Sequence, residues 1–156
     1  MKRSIAILLS FLIFAGIFSA CSSGSKEIDI STLSQELLDS DAFPDGLEAV
    51  DLKAGCYLYG LDSGEGGPIA EAQFYLSSGA VADEFALIKT DSKDSAANVK
   101  AAIEARLEYL KTSFESYNPG EVSQLENAAL KISGVYVVFV CADNQSTADK
   151  ILDKYL

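Results

Sequence analysis

Histidine and tryptophan are absent from this 156-residue chain, which carries one methionine, three prolines and three cysteines. Without histidine there is no Ser-His-Asp triad, no imidazole metal ligand and no side chain whose ordinary titration falls near neutrality. A hydrolase built on this chain would need a Ser-Lys pair, a cysteine alone or paired carboxylates. Cations are the second shortage, with 12 Lys and Arg against 23 Asp and Glu and a formal net charge of −11. Binding to nucleic acid needs clustered Lys and Arg to displace counterions from phosphates, so the balance excludes that partner. It also disfavours lying flat on anionic lipid headgroups.

The apolar residues are unevenly placed. Lys2 and Arg3 open the chain, Ile5 to Phe18 is broken only by Ser10 and Gly16, and Ser19-Ala20-Cys21 closes the run with small residues. A basic start, an apolar stretch and small residues at a boundary form the order of a secretory signal peptide, expected to span residues 1–20. An uncleaved anchor helix is the alternative for a run of this length. The small residues, the cysteine directly after them and the polar Ser22-Ser23-Gly24-Ser25 favour cleavage.

Ile17-Phe18-Ser19-Ala20-Cys21 resembles the bacterial lipobox, with Phe18 standing where Leu is usual. The resemblance implies that the Cys21 thiol receives a diacylglycerol and that cleavage follows in front of it. Burial at about 0.8 kcal/mol per CH₂ makes two or three acyl chains a stable anchor, whereas one is marginal. The expected address is the extracytoplasmic face of the cell membrane, with the membrane as a partner through Cys21. Without Lys2 and Arg3, ten basic residues face 23 acidic ones after Ala20. Residues 21–30 read as a polar tether and 31–156 as one domain, long enough to bury a real core.

Within that domain Ser31 or Thr32 is positioned to cap a short helix with Leu33, Leu37 and Leu38 on one face. Phe43-Pro44-Asp45-Gly46 is a turn. Asp51 to Tyr59 is ambiguous, though Leu52, Cys56 and Tyr59 share a helical face and Gly60 suits a C-terminal cap. Asp62 to Pro68 is an acidic, glycine-rich loop. Ala72–Ser77 and Glu84–Lys89 alternate as strands joined around Ser78-Gly79. Ala96, Val99, Ile103, Leu107, Leu110, Phe114 and Tyr117 then step by three or four residues, which predicts a long amphipathic helix stopped by Asn118-Pro119-Gly120. Ala128, Leu130 and Ile132 alternate as a third strand. Val135 to Cys141 is apolar on both faces and reads as an interior strand. Ser146 or Thr147 is positioned to cap a last helix with Ala148, Ile151, Leu152 and Tyr155 inward. The expected class is α+β: an antiparallel sheet of about four strands in two hairpins, with one long and one or two short helices packed on it.

Leu58-Tyr59-Gly60-Leu61, Tyr75-Leu76-Ser77-Ser78-Gly79-Ala80, Phe114-Glu115-Ser116-Tyr117-Asn118-Pro119 and Gly134-Val135-Tyr136-Val137-Val138 occur in this order. In that the chain resembles a family of small Gram-positive lipoproteins classed as domain of unknown function 4358. The resemblance runs over roughly Leu33 to Leu152. It implies a lipoprotein setting and no activity, since the shared residues are turns, caps and aromatic core positions.

Little in the chain points to chemistry. Gly60-Leu61-Asp62-Ser63-Gly64 has the wrong spacing for a nucleophile elbow. Asp39-Ser40-Asp41 starts like a calcium loop, but Phe43 and Pro44 fill positions that a ligand and the turn glycine should hold. Asp62 and Glu65 in their glycine-rich loop could gather a hard cation only weakly, and a solvated loop is the expectation. Cys56 and Cys141 suit buried hydrophobes as well as a disulfide, and the contexts favour free thiols. Tyr57 and Tyr59 are candidates for a binding surface, with core packing the commoner fate of such aromatics. No metal and no cofactor are expected. A membrane-tethered, non-catalytic binding or accessory domain of the cell envelope is the leading expectation. The alternatives are an envelope hydrolase using carboxylates or Ser-Lys, and a structural subunit of a lipoprotein complex.

Overall fold

The computed structural model describes residues 27–63 and 67–156. The signal segment, the lipobox and Cys21 lie outside the described residues, as does part of the acidic loop. Helix α1 (Ile30–Leu38) begins at Asp29, whose carboxylate accepts the backbone N–H groups of Ser31 and Thr32 at 3.0 Å. The cap is thus two or three residues earlier than Ser31 or Thr32. A carboxylate there satisfies two orphan donors and meets the positive end of the helix dipole, which a hydroxyl does less well.

After the Phe43–Gly46 turn comes β1 (Glu48–Val50), a three-residue strand too short to show an alternation. The ambiguous segment is helical: α2 (Leu52–Leu58) is capped by the Asp51 side chain and ends at Gly60, whose φ of +66° only glycine adopts cheaply. Then follow β2 (Ile69–Leu76), β3 (Glu84–Thr90) and α3 (Lys93–Tyr117), the last capped by Ser92. A short α4 (Gly120–Glu126) precedes β4 (Ala129–Ser133) and β5 (Tyr136–Cys141). Finally α5 (Gln145–Tyr155) is capped by Asn144, ahead of the expected Ser146 or Thr147.

The expected α+β class is what forms, with five strands in place of four. Their order is β1-β2-β3-β5-β4 and every pairing is antiparallel. The central pair β3 and β5 has helices on both faces, so its side chains are buried in succession and the alternation that marks a half-exposed strand disappears. Phe85, Leu87, Tyr136, Val138 and Val140 pack under α1 and α5. Ala86, Ile88, Val137, Phe139 and Cys141 point the other way, under α2, α3 and α4. Helix α2 sits directly against β2 because Gly55 has no β-carbon to strike the ring of Phe74.

Helix α3 has 25 residues, about 37 Å at 1.5 Å each. That exceeds the depth of the sheet, whose seven-residue β3 spans about 20 Å. The last turns of α3 therefore run past the strand ends. Tyr117, expected on the apolar face, is 69% exposed for this reason, and Phe114 closes the buried stripe.

Candidate functional site

Where α3 outruns the sheet, the β2–β3 turn faces its C-terminal half, and the two enclose a cleft of about 250 Å³. Leu76, Val81, Ala82, Leu110 and Phe114 supply apolar walls, while Tyr109 and Tyr117 stand at the rim, 68% and 69% exposed. The cleft is floored by two charged side chains that do not face water. Arg106 reaches from α3 to Glu84, the first residue of β3, and forms a two-pronged pair: Nε donates to Oε1 at 2.8 Å and Nη2 to Oε2 at 2.6 Å. The two side chains are 9% and 6% exposed. Tyr59, at the end of α2, donates its hydroxyl to the same Oε1 at 2.9 Å. The guanidinium lies 4.6 Å over the Tyr59 ring and donates from Nη1 to the Leu58 carbonyl at 3.3 Å.

This triad ties α2, α3 and β3 together. Burial pulls a guanidinium's pKa down, but the hydrogen bond and negative charge of Glu84, with Tyr59 beside them, outweigh it and hold Arg106 above its ordinary value. Burial first, then the charge of Glu84, push the Tyr59 phenol well above the usual tyrosine range. Arg106 and Tyr59 therefore keep their protons across the physiological range. Taking an ion pair out of water costs several kcal/mol per ion, so the arrangement stands because each oxygen of Glu84 is met by a donor.

A second polar knot braces the far wall. Asp83, 2% exposed, accepts from Gln124 Nε2 at 2.5 Å and from the backbone N–H of Asp143 at 2.8 Å. Its carboxyl is raised, by burial first, with the charges of Asp143 and Glu121 adding and the two hydrogen bonds opposing. Glu121 accepts from the backbone N–H of Ala82 at 2.8 Å and is itself held by Asn118. These contacts clamp α4 to the β2–β3 turn.

The structure separates the two candidate tyrosines. Tyr57 is 84% exposed, whereas Tyr59 is 2% exposed, its ring packed 5.3 Å from Phe74 and its hydroxyl spent on Glu84. Tyr59 therefore belongs to the core, and of the two only Tyr57 presents its ring to solvent. That side chain instead borders a shallower depression over Ala102 and Ala105, with Tyr109 opposite. Cys56 and Cys141 are both free and buried beneath α3. Burial pushes the Cys141 thiol up to about 12, and burial together with the charge of Asp62 raises Cys56, so neither is a ready thiolate. Among the described residues no group of three or more His, Cys, Asp or Glu side chains converges as a metal-ligand set, and no helix is long and apolar enough to cross a membrane.

Nothing in the sequence pattern alone pairs Glu84 with Arg106. A signal for Arg106 exists: it lies three residues after Ile103, so a charge intrudes on the inward edge of an otherwise regular amphipathic helix. Its partner, 22 positions away, is visible only in three dimensions.

A five-stranded antiparallel sheet between helix layers, with a cleft at one end, defines the class of domain. The chain belongs to the family described as a domain of unknown function, DUF4358, which matches residues 46–142. That span runs from before β1 to just past β5, and so includes the residues that build the cleft while leaving out α1 and α5. No curated protein and no solved structure matches the chain.

Proposed function

We propose that this chain is a lipid-anchored lipoprotein of the bacterial cell envelope whose domain binds a partner at the cleft between α3 and the β2–β3 turn without transforming it. The observation that carries this reading is the position of the cleft. Glu27, six residues after Cys21, pairs with Lys89 at the closing end of β3. The cleft lies at the opening end of the same strand, at Glu84. At about 3.3 Å per residue the two ends are roughly 20 Å apart. A six-residue tether reaches about 20 Å at most, so the end bearing Glu27 stays within that distance of the membrane and the cleft lies at the strand end away from the anchor.

The contents of the cleft favour binding over catalysis. Its walls are apolar, and its rim tyrosines present a flat apolar body with a polar tip, the profile of contact residues. Arg106 and Glu84 are committed to each other, and both oxygens of Glu84 are already met by donors from this chain.

The test is labelling in intact cells. A protein with Cys in place of Ser113, an exposed residue of α3 that lines the cleft, should react with a membrane-impermeant maleimide, and the native protein should carry an acyl mass on Cys21. Changing Cys21 to Ala should abolish that mass and release the domain or leave the precursor. Retention of residues 1–20 with no acyl group, or a Ser113→Cys protein labelled only after lysis, overturns the proposal.

A further inference from the structure

The cleft is small and its surroundings carry one sign of charge. About 250 Å³ falls below the 300–1,000 Å³ usual for small-molecule pockets. It is the size of seat that a single bulky side chain fills when a protein partner anchors itself. On the other side of the Ser77–Val81 loop lies a second depression, which shares Leu76, Ser77 and Val81 with the cleft and is bordered by Asp45 and Glu48. Glu121 stands behind Ala82 on the first side. Among the described residues lining the two depressions the one cation is Arg106, and its charge is spent on Glu84. The loop is therefore an apolar notch set in an acidic field, on a chain that is strongly acidic as a whole.

We infer that this end of the domain docks a cationic peptide segment of a partner protein, with one bulky apolar side chain inserted between Val81, Leu110 and Phe114. Lys or Arg residues on either side of that anchor meet Asp45, Glu48 and Glu121. The inference rests on the binding reading above and adds the chemistry of the occupant. The apolar insertion supplies most of the affinity, because water leaves Val81, Leu110 and the anchor together. The flanking charges supply speed of encounter and selection against acidic segments. Tyr109 and Tyr117 flank the anchor and shut out solvent. The buried pair at the floor needs no rearrangement to admit it, since its hydrogen bonds are already made.

The experiment uses the mature acylated protein in uncharged detergent micelles and fluorescently labelled twelve-residue peptides, read by anisotropy. One set has a central Phe or Leu flanked by Lys, a second has central Ala with the same Lys, and a third keeps the Phe but replaces Lys by Glu. The first set should bind ~10-fold or more tighter than either of the others, as expected for a buried anchor. Its affinity should fall as salt is raised. Ser113→Trp, which fills the cleft from the exposed side of α3, should abolish binding, and Asp45→Lys with Glu48→Lys should weaken the Lys-flanked set toward the Glu-flanked one. Tyr57→Ala, beside Ala102 and Ala105 and outside both of these depressions, should leave binding unchanged. Equal binding of Glu- and Lys-flanked peptides, still blocked by Ser113→Trp, overturns the charge assignment while the binding domain stands. Binding that Ser113→Trp does not touch overturns the seat. Blockade by Ser113→Trp of a fatty acid or glycan fragment, with no peptide bound, replaces the peptide and keeps the binding reading. If none of these probes binds, both fall.

Discussion

Replacing Arg106 by Met tests whether the floor of the cleft is a desolvated ion pair or an ordinary surface contact. The substitution keeps an unbranched, apolar stem against the Tyr59 ring and removes the guanidinium. Glu84 then loses both prongs and keeps the Tyr59 hydroxyl, with its side chain 6% exposed. Breaking a buried pair from one side leaves an uncompensated charge and costs about 3–5 kcal/mol. For a domain of this size that is roughly a 9–20 °C fall in Tm, at about 3–4 °C per kcal/mol. The double change Arg106→Met with Glu84→Gln should recover most of the loss, since the charge that needed a partner is gone. Tyr59→Phe alone should cost about 1.5 kcal/mol, because one oxygen loses one of its two donors. Urea unfolding at pH 7 of the parent, Arg106→Met, Glu84→Gln and the double variant gives the coupling energy as a double-mutant cycle. The single-mutant loss should persist in 1 M salt, where a surface pair would be screened at about 3 Å. An Arg106→Met protein within about 1 kcal/mol of the parent, or a double variant no better than the single, would refute the reasoning.

Two further outcomes follow from the packing and from the second polar knot. Gly55→Ala should destabilise by about 1–2 kcal/mol despite a helix-propensity gain near 1 kcal/mol, because the new methyl overlaps the Phe74 ring; a stabilised protein in thermal melts would show that α2 can lift off β2 freely. Asp83 has its folded pKa raised by burial, so its protonated form stabilises the fold fully below the unfolded value near 3.9 and that contribution is lost as pH rises through the folded value. Asp83→Asn, which keeps an acceptor for Gln124 and Asp143, should flatten that part of the pH–stability curve, and melts from pH 3 to 7 with an unchanged slope would count against the buried carboxyl.

Much of the fold was legible because burial on one side leaves a period in the sequence. Val99, Ile103, Leu110 and Phe114 marked α3, and the unbroken apolar run through Val137 and Val140 marked β5 as interior before its neighbours were known. Three-residue β1 is shorter than the window in which a period shows, and α4 buries only Leu125, so no apolar face repeats along it. The caps slipped by a few residues since Asp29 and Asn144 compete with nearby hydroxyls for the same orphan N–H groups, and only the path of the chain decides which of them reaches.

The sequence by itself determined the local matters: the segments that must bury an apolar face, the lack of any imidazole, the acidic balance and the expectation of an anchor at Cys21. Tertiary structure decided what Tyr59, Glu84 and Arg106 are. Each is unremarkable in its own segment, and the first and last are 47 positions apart. They become a buried, mutually neutralised group only because antiparallel pairing carries Glu84 to the strand end over which α3 passes. Side-chain charge is written in the chain, but whether water screens it depends on what packs above it.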